Sequence, residues 1–255
     1  MQSRLYRLRE FIRPADGRSL VVDTSAGLSL GALPGLEDYA AAVAPLLPLA
    51  DGVVASPGMS RRLGMRTRQD AALLIRADWT NALRGPDFVL PPEKIGHLAL
   101  LDPADALDLG AAALVATFLL GYEEAIDAAC LRNTVQLAIA GAQVGLPLLL
   151  DVVPTGPRVR TLNKAIELGV SYALEGGAEG AVIPWPGEQS MATIVTMAGG
   201  TPVWVRVAPQ DVDTLRRALD LGAAGAWLGA DLFTLPDPPG AAAALAAVVH
   251  SGGAA

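Results

Sequence analysis

Five charged residues at the ends of short apolar runs carry most of the chemistry this chain could perform. They are Asp23 in LVVD, Arg76 and Asp78 in LLIRAD, Asp151 in PLLLD and Arg206 in VWVR. Residues two apart in a strand share a face. Val21 therefore falls with Asp23, Leu74 with Arg76 and Asp78, Leu149 with Asp151, and Trp204 with Arg206. If those faces line one lumen, three carboxylates and two guanidinium groups meet there. The cluster has three readings. The arginines neutralise the aspartates, because buried charge is costly unless paired. Or the groups form a polar pocket for a small hydroxylated or anionic ligand. Or the carboxylates hold magnesium, a weaker reading because two arginines compete for the same oxygens. In an enzyme, Asp23, Asp78 or Asp151 would act as general base or acid, and Arg76 or Arg206 would stabilise an enolate or carboxylate.

Few other residues offer chemistry. The only histidines are His97 and His250, and the only lysines are Lys94 and Lys164. That scarcity closes most routes to imidazole, metal or Schiff-base catalysis. The single cysteine, Cys130, excludes an internal disulfide and a multi-cysteine metal site, and its place in a helical stretch suits packing. Lys94 and His97 fall in the long segment Trp79–Leu101 and are expected to be solvent-exposed loop residues, although long loops also supply lids and ligand contacts. Lys164 is expected on an outer helix. No Walker, dinucleotide or His-Glu zinc motif is present, so no cofactor and no metal are expected. A net charge of −7 with scattered basic residues does not resemble a nucleic-acid footprint. No apolar run reaches the ~18–20 residues of a membrane span. The charged start, MQSRLYRLREFIRPADG, lacks the apolar core of a signal peptide, and cytoplasmic residence is the expectation.

The elements that must position these groups repeat along the chain. A small-residue turn, four to six apolar residues and a break recur at residues 52–55, 72–78, 112–117, 147–153, 180–184, 202–207 and 225–229, and LDLGA occurs twice verbatim, at Leu107 and Leu219. With residues 20–23 that makes eight strands, separated by helical segments. Near-continuous apolar strands alternating with helices imply a parallel sheet covered on both faces. Eight units in 255 residues fit a single α/β domain, residues 1–255, folded as a (β/α)8 TIM barrel. The rival, a doubly wound open sheet, would want a Gly-rich fingerprint that TSAGLSLG does not supply. Residues 3–12 read as an N-terminal lead-in helix closed by Pro14, residues 36–49 and 240–250 as further helices, and residues 251–255 as a mobile tail. In a barrel the functional face is the C-terminal end of the strands. Trp185 and Glu188 after the sixth strand and Asp231 after the eighth are therefore added to Arg76 and Arg206 as candidate substrate contacts.

These segments, in this order, resemble the archaeal-type class I fructose-bisphosphate aldolases and their relatives, among them deoxyribose-phosphate and tagatose-bisphosphate aldolases and the amino-dideoxy-heptulosonate synthases. RPADGRSLVVDTSAGLSLGALPGLED is similar to the family's opening, a strand ending in Asp-His-Gly and followed by Gly-Pro-x-x-Gly-Leu. DGVVASPGMSRR, LDPADALDLGAAALVAT, GLPLLLDVVPTGPRV and LDLGAAGAWLGADLF follow at about the family's spacing. The resemblance covers nearly the whole chain. It implies the barrel, a carbon–carbon lyase lineage and self-association, for which the Ala-rich C-terminal helix is a candidate surface. The catalytic positions depart from it. The family's imine-forming lysine falls on Pro184 of GAEGAVIPWPGE and its lysine neighbour on Val182. Its strand-five Tyr-Pro-Arg-Gly becomes Val153-Pro154-Thr155-Gly156, its Ser-Gly-Gly phosphate cradle Arg206-Val207-Ala208, and its Gly-Arg pair Gly229-Ala230. Only Asp23 of the first motif is kept, with Thr24-Ser25 in place of His-Gly. The expectation is a barrel that binds a small carbonyl, polyol or anionic metabolite without the lysine imine. The alternative is a catalytically inactive homologue serving as a ligand-binding or assembly subunit.

Overall fold

Eight parallel strands close on themselves in the computed structural model, which describes residues 2–63 and 71–251. The barrel strands are β1 (Ser19–Asp23), β2 (Gly52–Ala55), β3 (Ala72–Arg76), β6 (Ala113–Leu119), β7 (Leu148–Val153), β8 (Gly180–Pro184), β9 (Val203–Arg206) and β10 (Gly225–Leu228). Each pairs with its sequence neighbour in the barrel, and β1 pairs with both β2 and β10 to close the ring. A separate antiparallel pair, β4 (Asp78–Thr80) and β5 (His97–Ala99), stands outside the ring. The (β/α)8 reading of the sequence is therefore correct.

The alternation works as period two requires. Val21, Leu74, Leu149, Val182, Trp204 and Trp227 gather in one lumenal cluster. Leu20, Val22, Ile75, Leu150, Ile183 and Val205 belong to the larger core between barrel and helices. Gly180 makes room for the largest lumenal side chain: a Cβ there would lie 2.8 Å from Trp204 Cζ3 and 2.7 Å from Leu149 Cδ2. The N-terminal segment seals the floor. Leu8 and Phe11 join the lumenal cluster, and the Phe11 ring stacks on Trp204 at 5.8 Å between centroids. Trp204 Nε1 donates to Ser19 Oγ at 2.7 Å, so the buried indole is satisfied.

Three elements differ from the sequence reading. The lead-in helix is Gln2–Leu8 rather than residues 3–12. At Arg9, Glu10 and Phe11 the backbone tightens to three-residue hydrogen bonds, and the chain turns so that Phe11 reaches the floor. The expected helix over residues 36–49 is only Tyr39–Val43, continued as a 3-10 turn over Ala44–Leu46, because Pro45 and Pro48 have no N–H to donate. The run expected as a strand through Asp78 leaves the barrel after Arg76. Ala77 still donates to Val115 O, but its carbonyl accepts from Leu100, and Asp78–Thr80 pairs with the returning His97–Ala99. The long segment after β3 is thus a β-hairpin with an extended tip rather than a plain loop.

The C-terminal helix, Pro238–Val249, buries Ala242, Leu245 and Val249. Residues 252–255 of the expected tail lie outside the described residues. Among the described residues no helix is long and apolar enough to cross a membrane.

Candidate functional site

The C-terminal ends of β1, β3, β7 and β9 converge on a cavity of about 480 Å³, within the range of small-molecule sites. Its polar wall includes Asp23, Arg76, Asp78, Asp151 and Arg206, so the structure brings together all five charged residues read from the strand ends.

Arg76 is the hub. Its Nη2 donates to Asp23 Oδ2 at 2.6 Å and to Asp151 Oδ2 at 3.4 Å, its Nε to Ser25 Oγ at 3.1 Å and its Nη1 to Thr117 Oγ1 at 3.3 Å. Burial works against the Arg76 charge, but the Asp23, Asp151 and Asp78 carboxylates outweigh it and hold the guanidinium protonated. Asp23 is saturated. Oδ1 accepts from Ser25 N at 2.9 Å and Ser25 Oγ at 2.5 Å, and Oδ2 accepts also from Trp227 Nε1 at 3.2 Å. Burial disfavours its ionisation, yet Arg76 and the Ser25 bonds prevail and hold its pKa below the ordinary carboxylate value. Asp151 is gripped from the other side by Arg206 Nη2 at 2.5 Å.

Asp78 departs from this pattern. Its Oδ2 accepts from the backbone N–H of Thr117 at 2.6 Å and lies 2.8 Å from His97 Nε2. Its Oδ1 is buried without a hydrogen-bond partner among the described residues, 4.0 Å from Arg76 Nη1. His97 was expected in a solvent-exposed loop, and the structure corrects this. Its side chain is only 1% exposed, held on β5 between Asp78 and the helix Glu124–Val144, with Nδ1 3.3 Å from Cys130 Sγ and 3.4 Å from Asn133 Nδ2. Burial disfavours the imidazolium, but Asp78 and the Cys130 sulfur outweigh it and push the His97 pKa up to about 9. His97 therefore joins the cluster as the partner of Asp78, beside Arg76 and Arg206.

The other predicted residues divide. Asp231 lines the mouth and is exposed. Trp185 is half-buried against the outer core, and Glu188 is exposed at the start of the helix Glu188–Ala198, 3.7 Å from Arg217 Nη1. Neither lines the cavity. Pro184 ends β8 beside Arg206 in register. Lys94 is exposed outside the cavity, and Lys164 lies on an outer helix with its Nζ 2.7 Å from Glu167 Oε2.

Sequence reasoning missed His97, Ser25, Thr117 and Trp227. Pairing Asp78-Trp79-Thr80 with His97-Leu98-Ala99 would have brought His97 to Asp78, but runs of three residues are too short to show the alternation that marks a strand. Among the described residues no group of three His, Cys, Asp or Glu is arranged to hold a metal. In chemical terms the mouth offers one guanidinium with donors to spare, one bare carboxylate oxygen, hydroxyls from Ser25, Thr80 and Thr117, and apolar walls from Leu28, Leu83 and Val153.

No protein-family model matches the chain. Among curated proteins it is 26% identical over 257 aligned positions to a 3-hydroxy-5-phosphonooxypentane-2,4-dione thiolase of Escherichia coli (strain K12), covering 98% of this chain and 82% of that protein. It is 29% identical over 246 positions to a 2-amino-3,7-dideoxy-D-threo-hept-6-ulosonate synthase of Halobacterium salinarum, covering 92% and 88%. In three dimensions it is similar to an archaeal fructose 1,6-bisphosphate aldolase, with TM-score 0.79 and 20% identity over 98% of this chain and 100% of that one. A Schiff-base-forming fructose-1,6-bisphosphate aldolase gives TM-score 0.79 at 22% identity. The resemblance read from the sequence thus meets its counterpart in both comparisons: fructose 1,6-bisphosphate aldolases are among the structural neighbours of this barrel, and a thiolase and an amino-dideoxy-heptulosonate synthase are among its curated relatives.

Proposed function

We propose that the barrel mouth binds a small carbonyl, polyol or anionic metabolite and acts on it without a lysine imine. One observation carries this reading: the cavity has no lysine in its lining. The chain has two lysines, both lie elsewhere, and the sixth barrel strand ends in Pro184, which has no amine to condense with a carbonyl. The names of the two curated relatives describe oxygen-rich carbon chains, and a mouth lined by hydroxyls, a guanidinium and carboxylates suits such a compound. In this reading an aspartate of the cluster moves the proton and Arg206 stabilises the negative charge that develops on the substrate oxygen.

The competing reading is a homologue that binds ligand or partner subunits without catalysis. It is favoured by the occupation of all four oxygens of Asp23 and Asp151 by protein donors. Borohydride reduction in the presence of dihydroxyacetone and glyceraldehyde, followed by intact-mass and peptide mapping, tests the imine-free reading. No reduced adduct is expected. An adduct mapped to Lys94 would overturn it.

A further inference from the structure

Two buried side-chain oxygens lack a hydrogen-bond partner among the described residues, Asp78 Oδ1 and Asp127 Oδ1, and of these only Asp78 lines the cavity. Leaving a buried carboxylate oxygen bare is costly. Everything else about Asp78 is fixed. The Thr117 N–H and His97 hold Oδ2, so the carboxylate cannot turn its free oxygen away without breaking both contacts. Asp78 Oδ1 is therefore an acceptor in the cavity wall that the described residues leave unmet.

The neighbours select the kind of donor. Arg76 Nη1 lies 4.0 Å from Oδ1, and His97 stands on the far oxygen. A ligand ammonium would be set beside the Arg76 guanidinium, whereas a hydroxyl adds no charge. The acceptor end is equally constrained. Arg76 uses Nε, Nη1 and Nη2 on protein partners, while among the described residues Arg206 commits only Nη2, to Asp151, and its side chain is one-third exposed. Arg206 is thus the cation with donors free. Asp231 stands exposed on the same lining, so a singly charged carboxylate suits this wall better than a dianion.

Resting on the reading of the mouth as a ligand site, we propose that it selects a small hydroxy acid, whose hydroxyl donates to Asp78 Oδ1 and whose carboxylate is received by Arg206. His97 is then a positioning residue that acts through Asp78.

Titration calorimetry on the full chain tests this with D-glycerate, propionate and glycerol, which separate the hydroxyl from the carboxylate. D-Glycerate is expected to bind at least tenfold more tightly than either of the others. Asp78→Asn reverses the polarity of the free position, because Thr117 N–H and His97 retain the amide oxygen and turn its NH2 group toward the cavity. That variant is expected to bring D-glycerate to within about threefold of propionate, and Arg206→Gln to weaken both acids together. If propionate matches D-glycerate in the unmodified chain and Arg206→Gln weakens both, the hydroxyl assignment falls while the mouth stands as a binding site. If none of the three binds, or binding is indifferent to Arg206→Gln, the reading of the mouth falls and the hydroxy-acid assignment falls with it. The ligand series uses the unmodified chain, so the test does not depend on Asp78→Asn folding.

Discussion

The chain's two histidines each meet aspartate, at opposite ends of the barrel, and the two pairs are built differently. At the floor His250 Nδ1 lies 2.6 Å from Asp16 Oδ2 and Nε2 lies 3.0 Å from Asp51 Oδ2. Every carboxylate oxygen there is occupied: Asp16 Oδ1 by Arg18 N, Asp51 Oδ1 by Arg13 Nε, and Asp51 Oδ2 also by Leu20 N. This is a clasp joining the C-terminal helix to the turn before β1 and the loop before β2. At the mouth His97 holds one oxygen of Asp78, and the other has no hydrogen-bond partner among the described residues. A saturated pair is explained by the fold. An unsaturated pair in a cavity asks for something the fold does not provide.

The most forceful way to break the contrast is Arg76→Leu, which leaves Asp23 and Asp151 without their shared cation. Removing one partner from a buried ion cluster costs about 3–5 kcal/mol, and the urea midpoint is expected to fall accordingly. A smaller effect separates the pairs by pH. The folded pKa of His97, about 9, lies above the ordinary 6.5, so its contribution is complete below about pH 6.5 and is lost as pH rises through 9. His97→Gln should flatten that alkaline decline, which in the unmodified protein is on the order of 3 kcal/mol. Burial works against ionisation of Asp16, but the His250 bond outweighs it and holds the pKa below 3.8, so its contribution is present above 3.8 and lost as pH falls through the folded value. Asp23 behaves alike, which leaves the alkaline limb as the signature of the mouth. Equilibrium unfolding from pH 5 to 10 measures it.

At the floor, Asp51→Ala strands the Leu20 N–H and frees Arg13 and His250, at a cost of about 1–2 kcal/mol. Calorimetry with D-glycerate should show no change in affinity. The mildest substitution is Glu188→Gln, whose exposed partner Arg217 is 3.7 Å away. It should alter stability by under ~0.5 kcal/mol and leave binding unchanged. A large loss of affinity would restore Glu188 to the site.

What the sequence disclosed follows from what has a period. Strand faces alternate every second residue, so Val21 with Asp23 and Trp204 with Arg206 could be placed on one lumenal face before any coordinates, and the charge cluster followed. β4 and β5 are three residues each, too short to show alternation against a 23-residue segment, and their pairing brings together residues nearly twenty positions apart. His97 was lost there, and with it the partner of Asp78. Trp185 and Glu188 show the limit of reading by position along the chain. They follow a barrel strand at the functional end, but the chain turns outward at once into the helix Glu188–Ala198, and proximity in sequence did not become proximity in space.

The floor has a consequence for how the molecule is made. Phe11 and Ser19 lie far ahead of Trp204 in the chain, yet both close on it, and Ser19 is separated by 185 positions from its indole partner. β1 likewise waits for β10 before the ring can shut. Contacts of such sequence separation bring loop-closure entropy into the late steps of folding. The barrel floor and the barrel wall are therefore closed by contacts of the same long reach, and each needs both ends of the barrel sequence in place.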